Sequence, residues 1–155
     1  MGSHNRFVLG DVLSAKLDGT FDTVALLGNA LCHFNTVKFG TILDGVEPGV
    51  HVGTSFIVDY RDVVGMLYRG EWKKSYSERR GSRIIVGVGK GIDTVKGDML
   101  IQSETGGRHN LDFTHAVWSP FIIEPLMAAK GWKLVRRRPK PEWKGWLDVY
   151  ERGPK

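Results

Sequence analysis

The sequence has little cysteine and no long apolar run. Cys32 is its single cysteine, which excludes a disulfide framework and a cysteine-rich zinc site and favours a reducing, cytoplasmic setting. No apolar segment reaches the roughly 18 to 20 residues that a membrane-spanning helix needs, so we expect no membrane association. The N-terminus has no charged-then-apolar signal pattern.

Several catalytic motifs are also missing. There is no Gly-x-Ser-x-Gly nucleophile elbow, which disfavours hydrolase chemistry. One Gly-x-Gly-x-Gly occurs, at residues 87–91, but residues 92–98 after it predict a turn and a strand instead of the helix that a dinucleotide fingerprint requires. We interpret it as a glycine-rich strand or hairpin turn, which disfavours a nucleotide-binding oxidoreductase. Neither His109 nor His115 has a carboxylate or cysteine at metal-ligand spacing, so no metal is predicted.

The composition is that of an ordinary globular protein. The chain has 155 residues, of which 41% are hydrophobic and 25% charged, and this fits one domain over residues 1–155. The formal net charge is +5, from basic clusters at residues 73–74, 79–80 and 136–140. Clusters this short are common on solvated surfaces, so we do not expect a nucleic acid partner.

Apolar runs and turns predict an α/β fold. Residues 7–9, 21–27 and 55–58 are apolar runs that end in glycine or polar residues, as expected of buried strands. Between the second and third runs, residues 30–46 have a rough helical spacing that Gly40 weakens, which predicts an irregular helix.

The second half of the chain has a different pattern. Strands are predicted at 82–88, 99–103 and 111–118, separated by glycine-rich turns, within an antiparallel insertion over residues 63–118. Pro120 then opens a helix to Ala129. The last two predicted strands, 132–135 and 146–150, are joined by a short loop and predict an antiparallel hairpin at one edge of the sheet.

Three of the predicted strands end in residues suited to ligand binding: Gly10-Asp11, Gly28-Asn29 and Asp59-Tyr60-Arg61. Ligands of open α/β sheets bind beyond the carboxyl ends of the strands. Asp11 can accept a hydrogen bond from an exocyclic amine, and Arg61 can hold a carboxylate. The structural alternatives are that Asp11 caps the following segment and that Asp59 pairs with Arg61.

These strand ends lie in segments that resemble class I S-adenosylmethionine-dependent methyltransferases. Residues 21–24 and 27–34 resemble Phe-Asp-x-Val followed by Leu-Gly-Asn-Ser-x-x-His-Leu, the pattern at the fourth strand of that family. Residues 53–62 resemble the fifth strand and its Asp-x-Arg end, and residues 6–13 resemble the third. Residues 119–135 resemble the last helix and the sixth strand. The pattern is most similar to that of the glycine N-methyltransferase group.

The resemblance implies a partial Rossmann-like methyltransferase sheet, strands three to seven, with the antiparallel insertion after the fifth strand. It implies S-adenosylmethionine as the cofactor and a small amine or amino-acid-like molecule as the methyl acceptor. The implied cofactor-binding residues are Asp11, Val12, Leu27, Gly28 and Asn29. The implied catalytic residues are Asn29 and His33, and the implied substrate-binding residues are Arg61 and Tyr60. Tyr68, Trp72 and Tyr76 are candidates for the acceptor pocket.

The chain departs from the family pattern in three places. Ala30 stands where serine is common, and the insertion has its own sequence. The glycine-rich loop and the acid of the first two strands would have to precede Arg6. We therefore interpret the chain as a truncated, C-terminal portion of the fold. Such a chain can be inactive alone, work as a homo-oligomer, or need its N-terminal half from elsewhere. The alternative function is a non-catalytic binding or assembly module built on a methyltransferase scaffold.

Overall fold

The computed structural model describes residues 9–154, with gaps at 16, 72–74, 81–82, 94 and 106–107. Within the strands, the side chains of residues 75–80, 83–90, 102–105 and 108–111 are also outside the description. The strand predicted at residues 7–9 therefore lies largely outside the described residues, as does the pocket candidate Trp72, and the side chain of Tyr76 does too.

Eight strands and three α-helices make up the described chain. The strands are β1 (Phe21–Leu26), β2 (Val50–Arg61), β3 (Ser75–Arg80), β4 (Arg83–Asp93), β5 (Asp98–Thr105), β6 (Arg108–Ala116), β7 (Trp132–Lys140) and β8 (Gly145–Arg152). The helices are α1 (Thr36–Val46), α2 (Val63–Tyr68) and α3 (Pro120–Ala129). Short 3₁₀ turns lie at Ala30–His33, Glu47–Gly49 and Pro141–Trp143. No helix among the described residues is both long and apolar enough to cross a bilayer.

The first sheet has the order β1-β2-β8-β7. β1 and β2 are parallel, with Leu26 opposite Val58, and β8 pairs antiparallel with both β2 and β7. The predicted α/β fold with an antiparallel hairpin at one edge is therefore confirmed. Because β1 and β2 are parallel, their carboxyl ends meet at one edge of the sheet, which brings the Gly28-Asn29 and Asp59-Arg61 segments together.

The second sheet is entirely antiparallel, in the order β3-β4-β5-β6. It follows α2 and contains the Gly-x-Gly-x-Gly sequence inside β4, where the register with β5 shifts between Gly89 and Gly91. The interpretation of this sequence as a glycine-rich strand is confirmed. β3 and α2, each only six residues long, were not predicted.

Aromatic rings form the centre of the core between the first sheet and helices α1 and α3. Phe39 lies edge-to-face against both Phe56 and Trp118, at centroid distances of 6.2 and 5.4 Å. Trp132 meets Phe56 in the same way at 5.5 Å. All four side chains are at most 2% exposed, and such pairs add about 0.5–1.5 kcal/mol beyond area burial.

The helix predicted over 30–46 is interrupted, although Gly40 is not where the break occurs. A 3₁₀ turn ends at His33, and α1 begins at Thr36 after Asn35, whose side-chain oxygen accepts the backbone N–H of Lys38 at 3.0 Å. Asparagine is a strong N-cap, so the cap decides where α1 starts. Gly40 lies inside the continuous helix.

Candidate active site

A cavity of about 360 Å³ opens where the carboxyl ends of β1 and β2 face the second sheet. Its walls come from the strand ends, α2, strands β5 and β6, and the turn between β7 and β8. The lining residues include Asn29, Cys32, Arg61, Met66, Ile101, His115, Trp118 and Trp143. This volume is in the range of small-molecule sites, which span about 300–1,000 Å³.

Asn29 connects the ends of β1 and β2. It has a left-handed backbone conformation (φ 59°), and its N–H donates to the carboxylate of Asp59 at 2.7 Å. Its own side-chain oxygen accepts the backbone N–H of Arg61 at 3.1 Å. Since that oxygen already accepts a hydrogen bond, the side-chain NH₂ of Asn29 is the group that can donate to a ligand.

Arg61 provides a positive charge at the cavity. Among the described residues no carboxylate pairs with its guanidinium, because Asp59 is buried and binds Asn29 instead. The predicted alternative, an Asp59–Arg61 ion pair, is therefore wrong. The acids of the lining are themselves paired, with Glu71 bound to Arg69 and Lys144, and Glu142 to Lys140. The arrangement suits an anionic group such as a carboxylate.

Tyr60 is not brought to the cavity. Adjacent strand residues face opposite sides of a sheet, so Tyr60 and Arg61 diverge. The Tyr60 ring is fully buried, and its hydroxyl donates to Asp148 at 2.8 Å. Asp148 also accepts from Tyr150 and, through two hydrogen bonds, from Arg137. Burial raises the pKa of both tyrosines, and the Asp148 carboxylate raises it further. The structure therefore places Tyr60, a predicted substrate-binding residue, outside the cavity.

Three side chains that can bind a metal ion lie close together: Cys32 and His115, which line the cavity, and the neighbouring His33. The sulfur of Cys32 and one nitrogen of each ring lie within 4.8 Å of one another. The two rings meet edge-to-face at 5.4 Å. Cys32 is buried, His33 is exposed and His115 is partly buried.

Burial shifts the pKa of two of these groups in opposite directions. It raises the pKa of the Cys32 thiol to about 11, against the opposing charge of Arg61. For His115, burial is the largest cause, and the electrostatic effects of His33 and Arg61 add to it, so that the pKa is lowered to about 4. At neutral pH the cavity wall therefore presents a neutral thiol and a neutral imidazole.

The predicted cofactor-binding residues lie outside this cavity, except for Asn29. Asp11, Val12, Leu27 and Gly28 are all exposed, and Gly28 has a positive φ of 80°. The Asp11 side chain accepts the backbone N–H of Leu13 at 3.0 Å, so the capping alternative holds for this residue. Tyr68, the described pocket candidate, is 93% exposed and is not in the lining.

The structure adds residues that sequence reasoning did not single out. Cys32, His115 and Trp118 line the cavity. Cys32 is in the 3₁₀ turn after β1, His115 is in β6, and Trp118 lies between β6 and α3. No local spacing connects them. The one available sign was that Cys32 lies three residues after Asn29, within the segment already predicted to form the site.

Comparison with solved structures identifies the fold. A S-adenosylmethionine-dependent methyltransferase from Clostridium acetobutylicum matches with a TM-score of 0.70 and 11% identity, over 97% of this chain and 66% of that one. The CcbJ methyltransferase from Streptomyces caelestis matches with a TM-score of 0.73 and 16% identity, over 95% of this chain and 63% of that one. CalS10 from Micromonospora echinaspora, described as an amino pentose methyltransferase, matches with a TM-score of 0.60 and 12% identity, over 92% and 63% of the two chains.

The chain therefore has the fold of class I S-adenosylmethionine-dependent methyltransferases. It spans less than two thirds of the length of each of these three proteins. No protein-family model matches the sequence, and no curated protein matches it.

Proposed function

We propose that this chain takes part in methyl transfer from S-adenosylmethionine to a small acceptor that has an amine and a carboxylate. The observation that carries the proposal is the cavity at the joined carboxyl ends of β1 and β2 in a methyltransferase fold, with Arg61 at its wall. Ligands of such sheets bind at this edge. The named activity of CalS10 is methylation of an amino sugar, which supports an amine-bearing acceptor.

The cofactor would lie on the exposed side of the same edge. Asp11 and Val12 would contact the adenine, and Leu27 and Gly28 the methionine portion. All four residues are accessible, and the absence of a side chain on Gly28 allows its backbone to approach a ligand closely. The carboxylate of Asp11 retains lone pairs beyond the one that Leu13 uses.

The acceptor would lie in the cavity with its carboxylate on Arg61. The methyl group moves from the sulfonium to the nitrogen lone pair, which leaves S-adenosylhomocysteine and releases one proton from the amine. The protein mainly has to align the two reactants, an effect that contributes up to about 7–11 kcal/mol. The free amide NH₂ of Asn29 would orient the acceptor, and the exposed imidazole of His33 would take the proton to solvent.

Calorimetric titration with S-adenosylmethionine and S-adenosylhomocysteine tests the cofactor assignment. We expect micromolar binding that weakens in Asp11→Ala and in Gly28→Val, with Asp44→Ala on helix α1 as the unaffected control. A size-exclusion run on the same samples shows whether the binding species is a monomer or a homo-oligomer. A folded chain that binds neither ligand would point instead to a non-catalytic binding or assembly module.

Acceptor kinetics test the role of Arg61. With amino acids as acceptors, Arg61→Ala should raise KM at least about tenfold, because one charge-assisted pair is lost. Arg136→Ala on β7 is the matched control, since Arg136 is exposed and not in the cavity lining. An unchanged KM in Arg61→Ala would remove the carboxylate from the proposed acceptor.

A further inference from the structure

The cluster of Cys32, His33 and His115 has a chemistry that methyl transfer does not require. A sulfur and two imidazole nitrogens, all within 4.8 Å of one another, come from two separate parts of the fold. Cys32 and His33 are in the 3₁₀ turn after β1, whereas His115 is in β6 of the second sheet. Phe113, also on β6, contacts the His115 ring at 5.1 Å and limits where that ring can move.

We propose that Cys32, His33 and His115 bind one Zn²⁺ ion through the sulfur and one nitrogen of each ring. Thiolate and imidazole are the ligands that zinc prefers, at bond lengths of about 2.0–2.3 Å. The ligand atoms need to contract by roughly 1 Å to reach the spacing of a tetrahedral site. His33 is exposed and has no hydrogen bond or ion pair that fixes its ring among the described residues, so it is free to make this adjustment.

Three protein ligands leave a tetrahedral ion with one open position. Because Cys32 and His115 both line the cavity, that position faces the cavity, where water or a ligand atom completes the coordination. The ion also connects the turn after β1 to the second sheet. Binding of Zn²⁺ displaces the proton of the Cys32 thiol, which leaves to solvent, and the resulting thiolate offsets the opposing positive charge of Arg61.

The site does not depend on methyl transfer, although it affects the proposed function. A neutral imidazole has one basic nitrogen, so a bound ion leaves His33 without the lone pair that would take the acceptor's proton. Zinc should therefore inhibit methyl transfer, while metal binding itself is measured without any acceptor or cofactor. Failure of one proposal leaves the other intact.

Metal titration of the full chain tests the site. After dialysis against a chelator and its removal, calorimetry with ZnCl₂ should show one equivalent bound with micromolar or tighter affinity. Co²⁺ serves as the spectroscopic probe, since a coordinated thiolate produces a sulfur-to-metal charge-transfer band. We expect Cys32→Ser to abolish that band, and His33→Asn and His115→Asn each to weaken Zn²⁺ binding more than about tenfold.

His51→Asn is the matched control, because His51 is an exposed histidine that pairs with Asp22 away from the cavity. It should leave both the stoichiometry and the band unchanged. Because His33 is exposed, we expect His33→Asn to fold like the unmodified chain. Circular dichroism checks that the Cys32 and His115 variants are folded as well. The proposal would be overturned if the folded chain took up no zinc. It would also be overturned if Cys32→Ser and His33→Asn bound Zn²⁺ as tightly as the unmodified chain does.

Discussion

The backbone N–H of Asn29 donates a 2.7 Å hydrogen bond to the buried carboxylate of Asp59. This bond fixes the chain just after β1 against the end of β2. It depends on the left-handed backbone of Asn29, a conformation that asparagine and glycine adopt more readily than other residues. A second hydrogen bond holds Arg61 at the cavity, since the side-chain oxygen of Asn29 accepts the backbone N–H of Arg61.

Two substitutions of Asn29 separate the cost of the backbone conformation from that of the side chain. Asn29→Gly removes only the hydrogen bond to Arg61 and keeps a residue that tolerates a positive φ, so it should cost about 1 kcal/mol. Asn29→Ala loses the same hydrogen bond and keeps a Cβ in the left-handed region without the polar side chain that makes this conformation accessible to asparagine, so it should cost about 1–2 kcal/mol more than Asn29→Gly. Chemical denaturation measures both values, and equal losses would show that backbone strain plays no part.

The two buried tryptophans of the core offer a matched pair. The indole N–H of Trp118 donates to the carbonyls of Leu31 and Phe34 at 2.9 and 3.0 Å. The N–H of Trp132 has no partner within the part of the chain that the structure describes. Trp118→Phe should therefore lower the free energy of unfolding by about 1–3 kcal/mol more than Trp132→Phe. Thermal or urea unfolding of both variants checks this difference.

Gly145 lies where β8 passes close to the backbone of β2. A Cβ at this position would lie 1.9 Å from the carbonyl oxygen of Tyr60, a contact that only backbone movement can relieve. We expect Gly145→Ala to lower the melting temperature strongly or to prevent folding. Gly45→Ala is the opposite case, because Gly45 is inside α1 with open space around it. That substitution should stabilise the protein by about 0.5–1 kcal/mol, and the two melting curves should move in opposite directions.

The free energy of unfolding of the metal-free protein should fall as the pH is lowered towards the pKa of His115. Its pKa is about 4 in the folded chain and 6.5 without the fold, so the unfolded chain binds more protons between these values. The free energy of unfolding therefore decreases on acidification from pH 6.5 to pH 4, by roughly 1–2 kcal/mol once solvent screening is allowed for. With a chelator present, His115→Gln should flatten this dependence, whereas His51→Gln should leave it unchanged.

Local sequence rules predicted the elements that have strong end signals. Pro120 and Gly131 bracket α3, and the structure places this helix at the predicted bounds, Pro120–Ala129. Helix α2 was missed because six residues are too few for a periodic pattern. Its N-cap, Asp62, accepts the N–H of Gly65 at 2.8 Å and is the one local sign of it.

The candidate site was predicted only where neighbouring residues share a strand end. Asn29 and Arg61 were placed together because parallel strands end at the same edge. Tyr60 was assigned to the same site against the alternation of side chains in a strand, which the structure obeys. The approach of His115 to Cys32 and His33 depends on how the second sheet packs, and no local spacing encodes that.

The two border strands of the first sheet, β1 and β7, differ in how readily they could pair with a further strand. β7 contains Pro139, which has no N–H to donate, together with lysines and arginines that are costly to bring beside another backbone. β1 at the opposite border has one charged residue, Asp22, and no proline. Of the two border strands in the described part of the chain, β7 is therefore the better protected against pairing with a further strand, and β1 is the less protected.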